Sequence, residues 1–281
     1  MERRCIMIIV EGPNDQAFLR RVLAVNFNLE EFDGEESKLS KISPFWDHWK
    51  PNYPKVIKKS KKKLDPEIKT DLYARVDMPR ILYRDSLSVG IFMGNGGELS
   101  NFLKDVDAAL SNLPEEHFDL LEAICLFVDA DQDDISLTFK RTIDWMRGIA
   151  ENHFSEVDLE SENCKPGCLM GKNKKLGIYI IPDNQRQGTL EQIILQCGDL
   201  VYSDYMSKSR NYINQYPEFQ WKKPASREKA TIAAVVSVLQ PGLTNTVSFA
   251  RDNWISKETL ERVPDMVQLV QFLKELLRIE D

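Results

Sequence analysis

Three acids stand where chemistry is most easily built. Glu11 follows the apolar run Ile6-Met7-Ile8-Ile9-Val10, and Asp129 and Asp131 follow Ile124-Cys125-Leu126-Phe127-Val128. Each run is short, apolar and holds β-branched residues, which predicts a buried strand of a parallel sheet. In open parallel sheets, ligand sites lie at the carboxyl ends of the strands. A glutamate and a D-x-D pair brought to one sheet edge make a site for a divalent metal and phosphate chemistry. Magnesium is a hard cation that takes oxygen ligands, and two aspartates at i and i+2 can reach one ion together. Without a cation, their repulsion in a partly desolvated cleft costs on the order of a few kcal/mol. The ion polarises a phosphoryl oxygen or activates a water. Glu11 then serves as general acid or base, or as a further ligand. Each residue also has a structural reading. Glu11 is then an ordinary strand end, Asp15 a helix cap, and Asp133 and Asp134 acids that favour a helix dipole.

The elements around these acids alternate. A helix is predicted from about Asp15 to Val25, with Phe18, Leu19, Val22 and Leu23 on one face and Pro13 at its start. Residues 30–86 break the alternation: they are polar and lysine-rich, hold five prolines, and read as an insertion with some helix near 68–85. A strand at 87–93 leads into the tight turn Gly94-Asn95-Gly96-Gly97 and a helix over 98–112, whose stripe is Leu99, Phe102, Leu103, Val106 and Leu110. The strand at 123–128 is followed by a helix over 135–150, a polar loop over 155–175, a strand at 176–181 and a helix opening at Gly188-Thr189-Leu190-Glu191. Strand–helix units in this order predict an α/β fold with a parallel sheet covered on both faces. Residues 1–198 then form the α/β domain. Residues 199–281 form a helical C-terminal part, with segments at 230–239 and 267–277.

Composition narrows the setting. Of the 281 residues, 42% are hydrophobic and 29% charged, ordinary for a soluble globular chain with a real core. No apolar stretch reaches membrane-spanning length, and the N-terminus lacks signal-peptide features, so a cytoplasmic protein is expected. Cys5 and Cys125 fall in predicted buried strands. Cys164 and Cys168 are the only close pair; without a second pair they read as free thiols in a surface turn rather than zinc ligands. The net charge of −7 excludes a wholly basic nucleic-acid coat, but residues 55–63 hold six lysines. Lys58, Lys59, Lys61, Lys62 and Lys63 are candidates for a phosphate backbone, with Phe45, Trp46, His48, Trp49 and Tyr53 upstream as stacking aromatics. The alternative is a solvated charged insertion. A receiver-like phospho-acceptor site would need paired acids after the first strand, where only Glu11 and the more distant Asp15 stand.

The combination resembles a known family. Val10-Glu11-Gly12-Pro13-Asn14-Asp15, Gly94-Asn95-Gly96-Gly97 and Val128-Asp129-Ala130-Asp131 look like the TOPRIM domain of topoisomerases, primases and the overcoming-lysogenization-defect (OLD) nucleases. The spacing of Glu11 and Asp15 is more like the OLD nucleases. Ile181-Pro182-Asp183 and Gly188-Thr189-Leu190-Glu191 also resemble a bacterial group of TOPRIM-like proteins of unknown function. The resemblance covers roughly residues 4–25 and 87–196, with a looser match near Arg227-Glu228-Lys229-Ala230. It implies a TOPRIM (Rossmann-like) four-stranded parallel sheet flanked by helices, and a Mg²⁺- or Mn²⁺-dependent nuclease acting on DNA or RNA. It implies Glu11 as catalytic acid or base, and Asp129 and Asp131 as metal ligands. Asp15 and Glu191 would hold a second metal, and Lys229 would neutralise charge on the transferring phosphate. OLD nucleases carry an ATPase on the same chain, whereas no G-x-x-x-x-G-K-[ST] occurs here, so a separate ATPase is an expected protein partner. The alternative is a non-catalytic TOPRIM-like module that binds nucleic acid or a partner.

Overall fold

The computed structural model describes residues 3–32, 36–49, 79–94, 99–218, 221, 223 and 225–279. The chain runs β1 (Arg4–Val10), α1 (Pro13–Phe27), β2 (Glu30–Glu31), α2 (Pro44–Asp47), β3 (Arg80–Arg84) and β4 (Leu87–Met93). It continues through α3 (Leu99–Ser111), α4 (Glu115–Phe118), β5 (Leu121–Asp129), α5 (Ile135–His153), β6 (Leu169–Met170) and β7 (Lys175–Ile181). The remainder is helical: α6 (Leu190–Val201), α7 (Ser203–Ile213), α8 (Ser226–Leu239), α9 (Asn245–Arg251), α10 (Lys257–Arg262) and α11 (Pro264–Leu277).

The described strands form one seven-stranded sheet in the order β2-β3-β4-β1-β5-β7-β6. Its middle, β4-β1-β5-β7, is parallel, and β2, β3 and β6 add antiparallel edges. The chemistry of β1 explains its central place. Every residue from Cys5 to Val10 is buried, because both faces of the sheet are covered. Ile6, Ile8 and Val10 join one apolar cluster, and Cys5, Met7 and Ile9 join the other. That alternation is the period-2 geometry of a strand, applied to a run with no polar side to show to water. Among the described residues no helix is long and apolar enough to cross a membrane.

The first face carries α1, α6 and the C-terminal helices. Val235, Phe249, Trp254 and Leu273 share one cluster with Ile6 and Ile8. Phe272 of α11 packs on Phe127 and Tyr179, with ring centroids 5.8 and 5.1 Å apart. The second face carries α2, α3 and α5.

Three expectations change. The sheet has seven strands rather than four, since short antiparallel strands extend the parallel middle at both edges. The stretch from Arg80 to Arg84 is a strand, not helix. It pairs with β4 in a tight hairpin, with Asp85 at φ 47°, a conformation that aspartate tolerates better than most residues. The aromatics expected to stack on bases are core residues: Phe45 and Trp46 are 0% exposed and Trp49 is 3% exposed. Trp46 and Trp49 pack against Phe92 of β4, with Phe45 packed on both tryptophans, and the Trp46 indole N–H donates to Ser88 Oγ at 2.9 Å. His48 is engaged by His117, with ring nitrogens 2.7 Å apart. Tyr53, the five lysines Lys58, Lys59, Lys61, Lys62 and Lys63, the turn residues 95–97 and the segment 68–78 lie outside the described residues.

Candidate functional site

Two parallel neighbours, β1 and β5, end side by side and deliver Glu11 and Asp129 to the same edge of the sheet. Their ends are joined directly, since the backbone N–H of Asp129 donates to Glu11 Oε1 at 3.2 Å. The loop after β5 is tied to the loop before α6. The N–H of Asp131 donates to the Gly188 carbonyl at 2.8 Å, and the N–H of Leu190 donates to Asp129 Oδ1 at 3.1 Å. These bonds require unusual backbone on both sides: Asp131 sits at φ 51° and Gly188 at φ 149°. A Cβ on Gly188 would also lie 2.0 Å from Gln192 Oε1. The result places Glu191, in the first turn of α6, against the ends of β1 and β5. Asp15 arrives from the first turn of α1, where its Oδ2 accepts the Gly12 N–H at 2.8 Å. Asp15 thus bonds back from the third position of α1 to its Gly12 N-cap, rather than being the N-cap itself, and feels the charges of Glu11 and Glu191.

The acids feel one another. Burial raises the Asp129 carboxyl well above its ordinary range, and the charges of Asp15, Glu11, Glu191 and Asp131 push the same way. Burial also pushes Asp15 up to about 7, assisted by Glu11 and Glu191 and opposed by the Gly12 N–H. Glu11 is raised by burial, against the Asp129 N–H that it accepts. Glu191 is buried and lies 3.8 Å from the half-exposed Lys229 Nζ. Glu11, Asp15, Asp129, Asp131, Glu191 and Lys229, drawn from far-apart segments, thus meet electrostatically at one sheet edge. Among the described residues, no three His, Cys, Asp or Glu side chains are drawn together as a ready metal cage. The donor set is nonetheless all oxygen and multiply anionic, the chemistry that suits a hard divalent cation.

A family model described as a protein of unknown function (DUF3226) matches residues 6–278. The chain belongs to the DUF3226 family. No curated protein matches the sequence. Among solved structures, the DUF3226 chain is similar to one titled as the crystal structure of hypothetical protein PH0156 from Pyrococcus horikoshii OT3. The two are 18% identical, with 97% of this chain and 95% of that chain covered and a TM-score of 0.54, a likeness of fold.

Sequence reasoning about this DUF3226 protein missed one cation. Arg141 of α5 bonds Asp133 Oδ2 at 2.8 Å, lies over the Trp145 ring at 5.4 Å, and its charge lowers the Glu11 carboxyl, as does that of Lys229. Its position in the second turn of the helix after the D-x-D loop was a usable signal. The neighbouring acids take structural roles. Asp134 caps α5 by accepting the Ser136 N–H at 2.8 Å, which holds its exposed carboxyl below the usual range. Asp183 is held by Arg186, which also reaches Asp265 at the start of α11, with both contacts at 2.6 Å. That clamp fastens the loop before α6 to the C-terminal helix.

Proposed function

We propose that this protein is a Mg²⁺- or Mn²⁺-dependent phosphodiester-cleaving enzyme of the TOPRIM type, acting on DNA or RNA. One observation carries the reading: acids from the ends of β1 and β5 and the starts of α1 and α6 feel one another's charge, and burial raises the carboxyls of Glu11, Asp15 and Asp129. The parallel order β4-β1-β5-β7 supports the four-stranded TOPRIM core that the motifs resemble. Repulsion among buried carboxylates is offset by a divalent cation, so the resting site is primed for one. Asp129 and Asp131 would hold it, and Asp15 and Glu191 would hold a second. Bound there, the cation supplies Lewis acidity toward a phosphoryl oxygen. Glu11, raised by burial, retains its proton closer to neutrality than a surface glutamate and so can give or take one at the reacting oxygen. Lys229 and Arg141 offer positive charge to a phosphodiester beside it.

The test is cleavage. Purified protein with Mn²⁺ or Mg²⁺ should nick plasmid or cut single-stranded substrates, and Asp129→Ala and Asp131→Ala should each abolish this. Intact substrates across both metals would overturn the catalytic reading. A second reading, a non-catalytic TOPRIM-like module that binds nucleic acid or a protein partner, is favoured by the lack of a ready three-ligand cage among the described residues. It gains if the protein binds nucleic acid with steep salt dependence and cuts none.

A further inference from the structure

Thr189 opens α6 as its N-cap, with extended backbone at φ −137° and ψ 171°. A threonine there ordinarily turns its hydroxyl back to accept a free N–H of the first helical turn. This one makes no such bond. The N–H of Gln192 goes instead to the Thr189 carbonyl at 3.1 Å. The side chain is nevertheless buried, at 4% exposure, and its Oγ1 is shut from solvent with no hydrogen-bond partner among the described residues. A buried hydroxyl left unpaired costs stability, so a fold that keeps one invites the question of what satisfies it.

Its neighbours answer. The residue before it, Gly188, gives its carbonyl to Asp131, and the residue after it, Leu190, gives its N–H to Asp129. Both flanking residues are thus tied to the D-x-D loop, and the next residue is Glu191. A buried hydroxyl that can both donate and accept is therefore carried by a residue whose two chain neighbours are hydrogen-bonded to the D-x-D loop.

We infer that the Thr189 hydroxyl is a polar contact for the hydrated divalent cation at this site. The inference rests on the metal-dependent reading above and adds a residue to it. It also explains why the N-cap hydroxyl is withheld from its own helix. Groups of this kind, one step removed from the carboxylates, typically change metal affinity by about tenfold or more when removed.

The experiment pairs two variants with two readouts, neither of which is turnover. Thr189→Val removes the hydroxyl at nearly constant shape, and Thr189→Ser keeps it. Thermal melting of the metal-free proteins and calorimetric titration with Mn²⁺ are measured for both and for the wild type. Metal-free Thr189→Val should melt at or above the wild-type temperature, since it loses only an unpaired hydroxyl. Its Mn²⁺ affinity should fall about tenfold, while Thr189→Ser stays within about twofold of wild type. Wild-type Mn²⁺ affinity in Thr189→Val, failure of Thr189→Ser to retain affinity, or a lowered metal-free melting temperature in Thr189→Val would each overturn the inference and leave the parent reading standing. Absence of Mn²⁺ binding by the wild type would overturn both.

Discussion

At the residue scale, the site is a set of carboxyls held where they would rather be neutral. Asp15 is pushed up to about 7, and Glu11 and Asp129 are also raised, chiefly by burial. An aspartate titrates near 4 in an unfolded chain. Between about pH 4 and 7, the folded state therefore binds the Asp15 proton more tightly than the unfolded state does. This contribution is fully present below pH 4 and is lost as pH rises through about 7. Metal-free protein should thus melt at progressively lower temperature from pH 5 to 8, and Asp15→Asn should flatten that slope. A slope unchanged in the variant would remove the assignment. Asp129→Asn tests the same field. It keeps an oxygen for the Leu190 N–H, removes a carboxyl that four other acids disfavour, and should raise the chemical-denaturation midpoint of metal-free protein at pH 8. Glu11, Asp129 and Asp131 were legible because each follows an apolar run. Arg141 was overlooked although its place one turn into the helix after the D-x-D loop marks it, whereas nothing in a sequence distinguishes the withheld hydroxyl of Thr189 from that of an ordinary helix cap.

At the element scale, periodicity served well where a run had one job. β1, β4, β5 and β7 were readable as short apolar runs, and α3 and α11 by their stripes. The reading failed where charge and apolar residues were interleaved. Arg80-Ile81-Leu82-Tyr83-Arg84 is a strand whose flanking arginines face outward, where Arg80 pairs with Glu31 at 3.4 Å. Phe45, Trp46 and Trp49 stand at i, i+1 and i+4, a helical apolar face that the nearby lysines disguised as a nucleic-acid platform. Their docking fixes a constraint on β4. A Cβ at Gly90 would lie 2.6 Å from the Trp46 ring and 2.8 Å from that of Phe92. Gly90→Ala should therefore cost about 1–3 kcal/mol of stability through overpacking, measured by urea denaturation. A neutral result would show that the Trp46 ring can retreat.

At the scale of the whole molecule, the helical C-terminal part and the α/β part complete one another. The sequence divides near residue 198, yet the helices beyond it supply one cover of the central sheet and carry Lys229 to Glu191. A chain ending at residue 198 would bare Phe127 and Tyr179, now packed by Phe272. Such a fragment should be insoluble or lack a cooperative thermal transition. A soluble fragment with a sharp melt would show that the first part stands alone. The Arg186 clamp has a mechanical meaning in this arrangement. Arg186 bolts the strand-end loop to Asp265, Gln196 of α6 grips the same carboxylate, and two residues past Arg186 the Gly188 carbonyl grips the D-x-D loop. A hydrogen-bonded route of a few residues therefore links α11 to Asp131, so the acids and the C-terminal helices share one polar scaffold.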